Sequence, residues 1–330
     1  MATLKDVARL ANVDVSTVSR ALNNKSYVHP ETRKRIFDAV AKLSYHPNVL
    51  AQGLRHGKRR TIAIVVPRFA DAVYADMIPA ICDGARSRDY QCLICTSDDD
   101  ESTEREILSR LRGGVVDGII ITSTGRNNRI LKDMDAEGIH ILQAIRNQED
   151  TLSSIVADYH ANAYDAVHHL YSKGCRNIGL IIGNLFIHPY MERYNGYQKA
   201  IRELGLEPVV AMAESDPSTF DYGAECTKRL LEENSAIDGI LASLDIQGMG
   251  VLRTLKLMGR NVPQDIRLIS LTGISLGSYL ETTMTSMEVP AAEIGREAID
   301  LMIRDIESGD GKRSVKKLVF RSTLVERESS

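Results

Sequence analysis

Residues 3–23 read TLKDVARLANVDVSTVSRALN, and their spacing sets the organisation of the chain. Thr3 and Asp6 stand three apart just ahead of an apolar run, the pattern of a reciprocally capped helix start. Leu4, Val7, Ala8 and Ala11 then recur on one helical face. Asn12 and Val13 predict a turn. Asp14 predicts a cap for a second helix, in which Val18 and Leu22 point inward and Val15, Ser16, Ser19 and Arg20 are left outside. Helices this short are marginal alone in water, so they need a shared core. A third helix supplies it: Pro30 suits the first helical position, and Ile36, Val40 and Leu43 recur at i, i+4 and i+7. Arg33, Lys34 and Arg35 crowd its exposed side. The pattern predicts an all-α helix-turn-helix whose second helix presents short polar side chains and one long Arg, which suits base edges and phosphates in a major groove. A small helical bundle with a solvated basic face is the plainer reading of the same spacing.

Charge favours the first reading. Residues 1–60 hold 12 Lys and Arg against 4 Asp and Glu, a net +8, whereas the whole chain is −3. The remaining residues therefore carry −11. A basic head neutralises phosphates, and an acidic body is repelled by them.

Together with YVHPETRKRI and LSYHPNVLAQGL, the opening segment closely resembles the start of the lactose-repressor/galactose-repressor (LacI/GalR) family. The resemblance extends over the whole chain. It implies a second helix in the major groove, with Val15, Ser16 and Arg20 at base-reading positions and Thr17, Ser19, Asn23 and Tyr27 at phosphate-holding ones. Thr3 joins this DNA-binding set at the start of the first helix. Arg pairs bidentately with guanine, so Arg20 is the leading base reader, with a plain phosphate contact as the alternative. Residues 46–60, HPNVLAQGLRHGKRR, form a short segment between Pro47 and Gly57. Asn48 can cap it, and Val49, Ala51 and Leu54 give it a small apolar side. The resemblance implies a hinge helix that folds on DNA, with Leu54 wedged into the minor groove. A flexible linker with one exposed leucine is the plainer reading. The DNA-binding candidates in this segment are Asn48, Ala51 and Leu54.

From residue 61 onward, apolar runs alternate with amphipathic stretches. Runs at 61–67, 90–98, 117–123 and 140–145 read as buried parallel strands, separated by helices near 74–88, 103–113 and 127–137. A second series follows at 177–183, 209–215, 238–244 and 266–271, with helices near 160–173, 191–205, 220–234 and 246–258. A helix at 290–308 and a strand at 315–326 close the chain. This βαβ repetition predicts an α/β core of two doubly wound parallel sheets. The resemblance implies that it is a bilobed, periplasmic-binding-protein-like core. The expected domains are a head at 1–46, a hinge at 47–60 and an effector-binding and dimerisation core at 61–330. The N-subdomain of that core covers about 61–159 and 289–321, and the C-subdomain about 160–288 and 322–330. Helices 74–88 and 220–258 are the candidate dimer faces.

A cleft between lobes is the natural ligand site, because strand carboxyl ends converge there. Strand ends nominate Arg68, Ala72, Val73, Ser97, Asp98 and Ser123. Asp158 stands where the chain would first cross between lobes, and Phe186 and His188 follow the GLIIG run. The stretch Arg193-Tyr194-Asn195-Gly196-Tyr197 matches the family's R-x-x-G-aromatic pattern, whose Arg grips the effector. Two departures stand beside it. Leu244 precedes Asp245 where the family usually has a polar residue, and Thr272 replaces an Asp that binds sugar hydroxyls. Losing a carboxylate beside a retained Arg points to an anionic effector, such as a sugar acid or phosphorylated metabolite. The effector-binding candidates are thus Arg68, Val73, Ser97, Ser123, Asp158, Phe186, Arg193, Leu244, Asp245 and Thr272.

Catalysis has no sequence support. No G-x-S-x-G, Walker A or H-E-x-x-H pattern occurs. His168 and His169 lack a spaced partner, so neither metal nor cofactor is expected. Cys92 and Cys95 have redox-motif spacing but fall inside an apolar strand, where they face opposite sides and read as buried packing. Five cysteines without a signal-peptide pattern fit a reducing cytoplasm, and no apolar run is long enough to span a membrane. The reading is a DNA-binding transcriptional repressor of carbohydrate or related catabolic genes, with a homodimer on a palindromic operator and a small effector in the cleft. Its rivals are a solute-binding sensory protein with no DNA role and an enzyme on the same bilobed fold.

Overall fold

The computed structural model describes residues 2–23, 27–45, 59–69, 71–213, 216–273, 275–308 and 314–330. The chain divides into two compact units, residues 1–59 and 60–330.

In the first unit, α1 (Leu4–Ala11), α2 (Val15–Asn23) and α3 (Pro30–Lys42) enclose a core of Val7, Ala8, Ala11, Val18, Ala21, Ile36 and Ala39. The capping box forms: Asp6 N–H donates to Thr3 Oγ1 at 3.3 Å, and Thr3 N–H donates to Asp6 Oδ2 at 2.9 Å. Asn12 ends α1 in the left-handed region at φ +51°, which a short polar side chain tolerates. Asp14 starts α2 through its carbonyl, which accepts from the Thr17 and Val18 amides. Val15, expected on the outside, is half-buried against this core, because it opens α2 beside the turn.

The second unit holds two six-stranded sheets. The first is built from β1 (Thr61–Val66), α4 (Ala72–Arg86), β2 (Gln91–Thr96), α5 (Glu101–Arg112), β3 (Gly118–Ile121), α6 (Asn128–Ala136), β4 (His140–Ala144) and β5 (Ser153–Ala157). The second uses α7 (Tyr159–Ser172), β6 (Ile178–Ile181), α8 (His188–Glu203), β7 (Val209–Ala211), α9 (Phe220–Glu233), β8 (Gly239–Ala242), α10 (Asp245–Leu257), β9 (Arg267–Gly273) and β10 (Thr285–Glu288). Then α11 (Ala291–Ser308) returns to the first sheet, and β11 (Lys317–Phe320) and β12 (Thr323–Val325) finish the chain.

The sheet orders are β11-β5-β4-β3-β1-β2 and β12-β10-β9-β8-β6-β7, so the same winding occurs twice. In each, strands build out on both sides of the first strand of the series, which leaves a crevice at the carboxyl ends where the order reverses. The chain passes between lobes after β5, after β10 and across Arg321-Ser322. The tail expected as one strand over 315–326 is therefore two. β11 lies parallel to β5, and β12 lies antiparallel to β10.

Three other expectations change. β2 is an edge strand with Leu93 and Ile94 exposed, so Cys92 and Cys95 are half-buried on its two faces rather than enclosed. Burial beside Cys82 still pushes the Cys92 thiol up to about 12, far from reactive. β5 and β10 are additional strands. The buried β10 reads TSME, too polar for an apolar-run signal. The tail satisfies it: Thr285 N–H donates to Ser329 Oγ at 2.8 Å, and Arg327 Nη1 donates to Ser286 Oγ at 2.9 Å.

Candidate functional site

On the head, the outward side of α2 carries exposed Ser16 and Arg20 with half-buried Thr17 and Ser19. Arg20 lies back along its own helix. Its Nε donates to the Ser16 carbonyl at 3.3 Å and its Nη2 to Thr17 Oγ1 at 3.2 Å. These are local, exposed bonds that a better acceptor can displace. Tyr27 is 82% exposed, and Thr3 is exposed at the start of α1. The Asn23 side chain and the segment holding Asn48, Ala51 and Leu54 lie outside the described residues.

In the second unit a cavity of about 260 Å³ opens between the lobes. Six of the ten effector candidates line it: Arg68 and Val73 from the first lobe, and Arg193, Leu244, Asp245 and Thr272 from the second. The other four lie elsewhere. Ser97 is wholly buried behind β2. Ser123 turns inward, donating to the buried Glu104 carboxylate at 3.2 Å. Asp158 caps α7 through a 2.9 Å bond from the Ala161 amide, and its own amide donates to the Phe320 carbonyl at 2.8 Å, so it braces a lobe crossing. Phe186 is an exposed rim residue stacked under Arg126, whose guanidinium carbon is 4.1 Å from the ring centroid.

Cavity residues that the sequence reading did not nominate include Asp71, Tyr74, Arg146, Tyr159 and Tyr190. Arg146 is held by a tight turn: its amide donates to the Ala144 carbonyl at 2.8 Å, around Ile145 at φ +69°. That is the rare γ-turn, a strained conformation for a β-branched residue. It aims the guanidinium at Asp99, which accepts two parallel bonds at 2.6 and 2.8 Å. The sequence reading ended the strand at Ile145 and nominated nothing after it. Burial pushes the Asp71 carboxyl up to about 6, against the pull of Arg68 and Arg146.

Arg193 sits on the buried side of α8 with Tyr190, Gly196 and Tyr197. Gly196 is required there, because a Cβ would meet the His160 carbonyl oxygen of α7 at 2.1 Å. The close approach brings Arg193 over the Tyr159 ring at 4.7 Å. Its Nη2 donates to Thr272 Oγ1 and to the Leu271 carbonyl. Desolvation holds its pKa below the usual guanidinium range.

Direct bonds tie the lobes at the rim. Arg68 Nη2 is 2.9 Å from Asp216 Oδ2. Gln148 Nε2 donates to the Phe186 carbonyl at 3.2 Å, and the His188 amide donates to Gln148 Oε1 at 2.8 Å. Among the described residues no group of three His, Cys, Asp or Glu could hold a metal. No described helix is long and apolar enough to cross a membrane.

Comparison with known proteins joins these features. Residues 3–48 match the lacI family of bacterial regulatory proteins, and residues 167–330 match a periplasmic binding protein-like domain. The ribose operon repressor of Halalkalibacterium halodurans is 30% identical over 307 residues, covering 93% of this chain and 91% of that protein. The chain belongs to the lacI family. Catabolite control protein A of Priestia megaterium is also 30% identical, over 97% of both chains. A solved CelR–cellobiose complex matches all of this chain and all of that one, with TM-score 0.75 and 27% identity. The lac repressor dimer bound to operator and an anti-inducer shares the fold at TM-score 0.86 and 22% identity, over 99% of this chain and 98% of that one. As a lacI-family protein, this chain is a DNA-binding transcription regulator with an effector-binding core, which sets aside the sensory protein without a DNA role. These relatives are regulators rather than enzymes.

Proposed function

We propose that this lacI-family protein represses carbohydrate or related catabolic genes as a homodimer on a near-palindromic operator, released or engaged by a small molecule in the interlobe cavity. The observation that carries this is the cavity itself, lined by apolar, polar and charged side chains of both lobes and rimmed by bonds that cross between them. A molecule that touches both walls binds one lobe angle better than another, and only that difference shifts the equilibrium. The head reads bases through Arg20, Ser16 and Val15 and holds phosphates through Thr3, Thr17, Ser19, Asn23 and Tyr27. The hinge, with Asn48 and Ala51, sets Leu54 in the minor groove. The division into a head at 1–46, a hinge at 47–60 and a core at 61–330 belongs to this proposal.

Sugar regulation is favoured by the ribose operon repressor and by the cellobiose complex among the relatives. A cavity somewhat smaller than the usual range of about 300–1,000 Å³ suits a molecule of monosaccharide size. Dimerisation is supported by apolar side chains left exposed on both lobes, Leu93 and Ile94 on β2 and Phe220, Leu257 and Met258 around α9 and α10. The test selects duplexes from a random pool with the full chain, then measures affinity for the winner with and without sugars and sugar derivatives. The expected result is a palindromic consensus bound by two chains, with an affinity that at least one compound changes. A consensus with a single half-site, or an affinity indifferent to every compound, would overturn the proposal.

A further inference from the structure

Three guanidiniums face the cavity, and they are not equivalent. Arg68 has Asp216 at 2.9 Å, and Arg146 has both oxygens of Asp99. Arg193 is 2% exposed, yet its bonds go to two neutral acceptors, the Thr272 hydroxyl and the Leu271 carbonyl. Its Nε is buried and has no partner among the described residues. Its guanidinium carbon lies 4.7 Å from the Tyr159 ring centroid, and burial works against its charge. A buried cation without a counter-charge is costly, and an open N–H on it adds the penalty of an unmade bond. Residue 272 sets this up. At residue 272 a carboxylate would neutralise Arg193 from within the protein, but threonine offers only a hydroxyl.

The geometry points to an anionic effector, a sugar acid or sugar phosphate whose charged oxygens dock on the Arg193 guanidinium. This rests on the cavity being the effector site. Guanidinium binds carboxylate or phosphate with short, charge-assisted bonds, so a docked anion supplies the missing charge. The carboxylates on the wall do not oppose it. Asp71 lies beside Arg68 and Arg146, and Asp245 opens α10, where the helix N-terminus offsets negative charge. Asp71 and Ser218 remain to accept hydroxyls.

The test uses the full chain with matched probes: galactose, galacturonate and galactose 6-phosphate, the same three forms of glucose, and inorganic phosphate against chloride at equal ionic strength. Thermal shift and titration calorimetry are read on wild type, Thr272→Asp and Arg193→Gln. At least one charged probe should bind about tenfold tighter than its neutral parent, a difference of about 1.4 kcal/mol. Thr272→Asp should erase that preference with the fold intact by circular dichroism, and Arg193→Gln should lose anion binding. The galacturonate and phosphate arms tell a carboxylate from a phosphate. The inference falls if neutral sugars bind as well as their acids, if no charged probe binds, or if Thr272→Asp keeps the preference. A neutral sugar that binds and shifts operator affinity would sink the anion and leave the switch standing. An acid that binds without touching operator affinity would sink the switch and leave the anion.

Discussion

Replacing Asp99 by Asn tests how the cavity wall is wired. Asp99 sits at φ +57° and accepts two bonds from Arg146, which is 9% exposed and whose guanidinium also donates to the Ser123 carbonyl at 3.3 Å. Asparagine keeps the shape and tolerates the left-handed backbone, so the change is one charge and one acceptor. Removing one partner of a buried pair costs about 3–5 kcal/mol. The Asp99 side chain is 27% exposed, and solvent screening reduces this to about 2–3 kcal/mol. At about 2–4 °C per kcal/mol for a large domain, the core should melt roughly 4–12 °C lower. Scanning calorimetry of the full chain reads this directly. Adding Arg146→Met to Asp99→Asn should recover part of the loss, since the stranded charge is gone. A shift under about 2 °C for the single variant, or no recovery in the double, would show that water already satisfies Arg146 and would refute the reasoning.

Other perturbations separate the parts. Arg20→Ala should cost about 1–3 kcal/mol of operator preference while leaving weak, salt-sensitive binding to any duplex; unchanged preference in competition shifts would demote Arg20 to a phosphate contact. Leu54→Ala should reduce operator bending in a circular-permutation gel assay, and an unaltered bend would make residues 46–60 a plain tether. For Asp71, the folded carboxyl titrates at about 6, above its unfolded value of 3.8, so the native state holds that proton longer. The stability difference therefore develops as pH rises from 3.8 to about 6, with the ionised form less stable. Asp71→Asn should melt progressively higher than wild type across that interval, by about 2 kcal/mol at neutral pH after allowance for screening. A gap that widens as pH falls would contradict this sign.

How much of this could be read in advance depended on whether the signal was local. TIAIVV forms an interior strand because a run of β-branched residues interrupted only by Ala63 has to be covered on both faces, and that is visible in six letters. The capping box at Thr3 and Asp6 is equally local. Arg193 was legible through the R-x-x-G-aromatic pattern of the family it resembles, and Gly196 of that pattern is where α7 closes on α8. The Arg146–Asp99 pair was not legible. Its partners are 47 residues apart, and the turn that aims Arg146 puts a β-branched residue where composition would never place one. Ser97 and Ser123 show the limit of the strand-end rule, which finds the right rim without saying which side chains face the cavity. β10 was missed because its polar residues are satisfied by the far end of the chain.

The central claim is that one free energy links the cavity and the operator. The direct measurement is a closed cycle: operator affinity with and without a saturating cavity ligand, and ligand affinity with and without operator. The account predicts the same ratio on both arms, within the usual range of about 5–150-fold. A ligand that occupies the cavity while operator affinity stays unchanged would contradict it.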